Sequence, residues 1–233
     1  PWSYIGYWGD HQIIYLLKFL EFIQKHFPGK LVNSLAKNHF VYAHVPYIIK
    51  SFKDIVKDPK DTILFDEVLH NQINQQKDDL GTDGALLKTP SGEVYHVNML
   101  EKLLATILAK MSNFVPEAGI WLNTQRPEWN DANNALVGNG TSMVTLYYMR
   151  RFFSFLDNLI DSFDFTSSAV SVELYDFFKE ISKGLVKHES LLNNKIDDYE
   201  RQSLLDTLGQ AGSSYRNQIY NNGFSSKTAD IST

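Results

Sequence analysis

The chain contains no cysteine, which excludes disulfides and thiolate chemistry and leaves its compartment open. It is also poor in positive charge. Lys and Arg number 22 against 27 Asp and Glu, a net charge of -5, and no basic cluster of the kind phosphate contacts require is present, so a nucleic-acid partner is not expected. Long uninterrupted apolar runs are missing as well. The longest stretches, Ile13 to Ile23 and Val144 to Ile160, are broken by Lys18, Glu21, Arg150, Arg151 and Asp157, and neither is expected to span a membrane. The histidines, His11, His26, His39, His44, His70, His96 and His188, lack a metal-ligand spacing. His39 and His44 come nearest, and Pro46 beside them argues against a ligand-bearing helix. No metal and no organic cofactor is expected.

What remains is a chain of 233 residues with 43% hydrophobic and 21% charged residues, enough to bury a sizeable core in one or two domains. Its start, Pro1-Trp2-Ser3-Tyr4, is neither an initiator methionine nor the charged beginning of a signal peptide, and it reads as a piece of a larger protein. Localisation therefore stays undetermined beyond an expectation of solubility.

Helical periodicity dominates the pattern. Ile13, Leu16, Leu17, Leu20 and Ile23 share one face of a helix that Asp10 can cap and that ends before Pro28-Gly29. A short helix is expected near Ile48 to Val56, and another from Asp61 to Gln76 after the Asp58-Pro59 break. The polar stretch Gln75 to Val94 reads as a surface connection or short hairpin. Asn98 to Ser112 is amphipathic, with Met99, Leu103, Leu104, Ile107, Leu108 and Met111 on one face and Lys102 and Lys110 facing away. Thr141 or Ser142 caps a long helix through about Phe163; further helices are expected over Val170 to Lys187 and, more weakly, Asp198 to Gly209. Residues 1–212 thus read as a helical unit of the all-α class, and 213–233 as a polar, loosely ordered C-terminal segment.

The segment that carries chemistry is Gln125 to Ser142, QRPEWNDANNALVGNGTS. Two carboxylates, Glu128 and Asp131, flank Trp129-Asn130, while Asn133 and Asn134 add amide donors and acceptors. Such groups suit a polyhydroxylated ring with one bond to be protonated. Asp and Asn are also ordinary turn formers, so a plain capped loop is the competing reading. Trp129 is equally suited to sugar stacking and to packing. Asp10 and His11 could reach substrate from the first helix start, though Asp10 serves equally as a simple N-cap.

Glu128-Trp129-Asn130-Asp131, followed by Asn133, Val137-Gly138, Gly140 and Ser142 opening an apolar helix, resembles the catalytic segment of inverting glycoside phosphorylases such as cellobiose phosphorylase. A weaker likeness lies upstream in Tyr7-Trp8-Gly9-Asp10-His11-Gln12-Ile13-Ile14-Tyr15-Leu16, which is similar to the family's acidic helix start, and the two occur in the family's order. The resemblance implies an (α/α)6 barrel of the six-hairpin glycosidase kind, of which this chain supplies a part. Its partners would be an oligo- or disaccharide and the remainder of its own polypeptide. It also implies Asp131 as general acid, with Glu128 the next choice for that role, and Trp129, Asn130, Arg126, Asn133, Asp10 and His11 as substrate contacts. Glu128 stands where the family has Asp, Ala132 where it has Gly, and Thr141 where it has Glu.

Chemically, a neutral carboxylic acid gives its proton to the departing oxygen while water or phosphate attacks from the opposite face. Glu128 close to Asp131 would raise the latter's pKa, Arg126 within reach would lower it, and Arg126 pairing with Glu128 instead would spare Asp131 that opposing effect. The expected activity is inverting cleavage of a glycosidic bond by hydrolysis or phosphorolysis, inorganic phosphate being a possible co-substrate. A non-catalytic helical module that binds glycans or proteins is the alternative from another class.

Overall fold

A computed structural model describes residues 3–6, 12–122, 140–163, 165–193 and 195–232. Its organising element is helix α5, Met99–Met111, in which every residue from Met99 to Lys110 is buried. The expected solvent face of this helix does not exist. Lys102 and Lys110 are only 2% and 1% exposed, because α5 is packed from several sides by helices α2 (Val32–Leu35), α7 (Val172–Lys187) and α8 (Asp198–Asn222) and by a π-helical turn, Gln12–Leu16. Lys102 is accommodated through its own chemistry: its Nζ donates to the Val41 carbonyl at 2.7 Å and lies 4.1 Å from the centre of the Tyr42 ring.

The π turn runs into α1, Leu17–His26, and buries Ile13, Leu17 and Leu20 on the face the periodicity predicts. It packs on α6, Met143–Asp161. The expected cap of α6 is Ser142, whose side chain accepts from the Thr145 N–H. Arg151 of α6 donates to both carboxylate oxygens of Glu21 of α1, from Nε at 2.6 Å and from Nη2 at 2.5 Å.

A short antiparallel pair takes the place of the first residues of two expected helices. Tyr47–Ile49 (β2) pairs with Ile63–Phe65 (β3), so helix begins later than expected on both sides. Ser51 caps α3, Phe52–Lys57, and Asp66 caps α4, Glu67–Leu80, each accepting from a backbone N–H three residues on. Phe40–Val41 (β1) pairs with His96–Val97 (β4). Between α4 and β4 the expected hairpin is present as the Lys88 to Val94 bridge.

The C-terminal third departs most from the sequence reading. Helix α8 does not stop at Gly209 but continues to Asn222, where Gly223, at φ 68°, ends it. Residues beyond Ser213 are not a loose tail: Thr228–Ser232 (β9) pairs along its length with Ser167–Ser171 (β8). Phe224 is 4% exposed and sits among the rings of Tyr4, Tyr42 and Tyr95, with centroids 5.1 to 6.0 Å away. Tertiary packing of one aromatic outweighs the polar composition around it. Among the described residues the fold is thus mostly helical, eight α-helices with four small sheets, and no helix is long and apolar enough to cross a membrane.

Candidate functional site

Every residue the sequence singles out for chemistry, Asp131, Glu128, Trp129, Asn130, Arg126, Asn133, Asp10 and His11, lies outside the described residues. Their described flanks are nonetheless fixed. A three-stranded sheet joins Phe114–Val115 (β5), Gly119–Trp121 (β6) and Thr141–Ser142 (β7), with Ile120 opposite Ser142 and Trp121 opposite Thr141. Residues 122 and 140 therefore sit side by side. The Thr141 hydroxyl adds a 2.6 Å bond to the Ala118 carbonyl. Gly119, at φ 119°, comes so close to the Ser142 carbonyl that a Cβ would lie 3.0 Å from its oxygen.

Beside this sheet lies a cavity of about 240 Å³. Ser112, Asn113, Val115 and Trp121 form one wall, Phe52, Ile55, Val56 and Pro59 a second, and Leu205, Gly209 and Arg216 of α8 a third. Gly209, Gly212 and Arg216 recur at helical spacing on one face. The glycines let neighbours close in. A Cβ on Gly209 would lie 2.2 Å from the Phe52 ring, and one on Gly212 2.7 Å from Ser112 Oγ and 3.3 Å from Arg216 Nη1. Backbone bonds hold the walls together: the Phe52 N–H donates to Ser213 Oγ at 3.1 Å, and the Trp121 N–H to the Asn113 carbonyl at 2.8 Å.

Arg216 dominates the electrostatics of this cavity. It is 7% exposed, and its Nε has no hydrogen-bond partner among the described residues. Burial pushes its guanidinium below the usual range, opposed by the phenols of Tyr220 and Tyr215. Arginine does not shed its proton in proteins. The outcome is a fixed cation against an otherwise largely apolar wall.

A second polar cluster lies in the core. The Glu101 carboxylate accepts from the Ser171 N–H at 2.8 Å and the Ser171 hydroxyl at 2.9 Å. Burial raises its pKa, the two Ser171 bonds lower it, and Glu173 raises it further. Glu173 Oε1 accepts from the Ser225 N–H at 2.8 Å. Burial pushes Lys102 down to about 7, against the pull of Glu101. Asn98 caps α5 through Oδ1 and donates to the Ala169 carbonyl at 2.6 Å. These groups fasten β8 and the C-terminal segment to α5, which is a structural task. Among the described residues no group of His, Asp and Glu is placed to hold a metal ion.

Fold and site together define a mostly helical protein with one buried cation at an apolar cavity. Compared with known proteins, the chain matches no family model and no curated protein. Sequence reading alone passes over Arg216 and Glu101, and it assigns Lys102 to a solvent face although the residue is buried. The signal for Arg216 was present in the Gly-x-x-Gly-x-x-x-Arg spacing, which clears room on a helix face directly below a cation.

Proposed function

We propose that this chain is part of a carbohydrate-active enzyme that cleaves a glycosidic bond with inversion. In this reading Asp131 is the proton donor, with Glu128 beside it, and Trp129, Asn130, Arg126, Asn133, Asp10 and His11 contact the sugar. The observation that carries it is the run Glu128-Trp129-Asn130-Asp131 ahead of a Ser142-capped apolar helix. Supporting it, the π turn that follows residues 7–11 packs on α6, the helix that follows residues 123–139. The two segments that resemble the phosphorylase family thus have touching flanks. In an (α/α)6 barrel, further helix pairs would cover the exposed apolar side chains Phe19 and Phe22 of α1 and Val144 and Tyr147 of α6.

The donor chemistry is the same for water and phosphate as acceptor, and an inverting hydrolase additionally needs a carboxylate base roughly 6.5 to 9.5 Å from the acid. The test is Asp131→Asn in the full-length protein, assayed on a panel of disaccharides and oligosaccharides with and without inorganic phosphate. Turnover should fall by roughly a hundredfold or more while sugar binding persists. Phosphate dependence of the parent activity selects phosphorolysis over hydrolysis. Sugar binding without turnover in either protein would replace the enzyme with a glycan-binding module.

A further inference from the structure

We propose that the cavity at Arg216 is a binding site for a small organic carboxylate with an apolar body, such as an arylacetate or a branched aliphatic acid. The argument begins with cost. A charged guanidinium on a residue only 7% exposed is unfavourable unless an anion or a set of acceptors meets it. Its Nε has no such acceptor among the described residues, and the groups that bear on its charge are phenols, not carboxylates. The cation also lines a space of about 240 Å³, room for a ligand and not merely for a water.

The rest of the wall selects the kind of anion. Phe52, Ile55, Leu205 and Trp121 give apolar and aromatic surface, and Ser112 and Asn113 are the neutral polar residues. One cation with a mainly apolar lining matches an anion that is polar at one end only. Free phosphate would leave that lining unused, and a bare sugar would find too few partners for its hydroxyls. Carboxylate oxygens suit the planar fork of an arginine. Val56 is 58% exposed and also lines the cavity, which places it on the rim where a ligand enters. The proposal does not rest on the glycosidic reading.

The experiment is calorimetric titration of the full chain with phenylacetate and 3-methylbutanoate, with phenylacetamide and inorganic phosphate as controls. Saturable binding of the acids is expected, with the amide weaker by roughly tenfold or more, the discrimination a charge-assisted hydrogen bond supplies. Arg216→Met should abolish the acid preference. Val56→Trp, a rim change that leaves the cation in place, should weaken both acids and keeps the test open if the first variant does not fold. Equal affinity for acid and amide, tighter binding of phosphate, no binding of either acid, or full binding by Val56→Trp would overturn the proposal.

Discussion

Ser171 donates to both oxygens of Glu101, its N–H to Oε2 at 2.8 Å and its hydroxyl to Oε1 at 2.9 Å. Ser171 is also the residue that opens α7, yet its side chain makes no capping bond there. The hydroxyl that would ordinarily cap a helix is committed instead to a buried acid on the helix at the centre of the fold.

Replacing Glu101 by Ala removes the acceptor for three buried donors at once, the Ser171 N–H and hydroxyl and the Tyr42 hydroxyl. A loss of about 2 to 4 kcal/mol is expected, read as a lower urea midpoint with an unchanged slope. Glu101→Gln keeps one oxygen and should cost less.

Lys102 sets a pH dependence whose sign is fixed by its depressed pKa of about 7. Between that value and roughly 10.4, where an unfolded lysine titrates, the unfolded chain holds the extra proton. Stability should therefore rise with pH from about 7 to about 10. Burial raises the pKa of Tyr42 and Tyr215, so the trend reverses once unfolded tyrosines ionise, above about pH 10. Urea midpoints across this range test the curve, and Lys102→Met should flatten its rising limb.

Gly209→Ala gains about 1 kcal/mol of helix propensity in principle. Here the added methyl would lie 2.2 Å from the Phe52 ring, whose backbone is held by Ser213. A net loss of about 1 to 3 kcal/mol is expected, seen as a lower thermal midpoint. Phe52→Leu in the same chain should recover part of it.

Phe224→Ala tests whether the C-terminal segment belongs to the core. Removing a ring 4% exposed among three tyrosines should cost about 3 to 5 kcal/mol. It should also open the bond after Lys227 to limited tryptic cleavage. A variant as stable and as resistant as the parent would mean that the segment is detachable.

Local signals account for what the sequence made legible. Ser142, the face of Ile13, Leu17 and Leu20, and the span of α7 are set by neighbours within a turn or two, and they are where the pattern put them. The departures are tertiary. Ile63–Phe65 is a strand because Tyr47–Ile49 lies beside it, Lys102 and Lys110 are buried because other elements surround α5, and α8 runs through Gly209 and Gly212 because Phe52 and Ser112 need that space. The cavity joins Phe52, Trp121 and Arg216 from distant parts of the chain. No window along the sequence contains it. The carboxylate segment that the pattern favoured falls outside the described residues.

The pairing of β8 with β9 has a mechanical meaning. The first strand enters α7 and the second leaves α8, so the ladder buckles the open end of a helical hairpin. Sliding one helix along the other would have to tear that buckle and drive Thr207 past Gly184, where a Cβ would already lie 2.9 Å from its methyl. The height of Arg216 along the hairpin is consequently clamped by a seam on the far side of Gly223, and damage to that seam would be felt at the cation before any residue near it had changed.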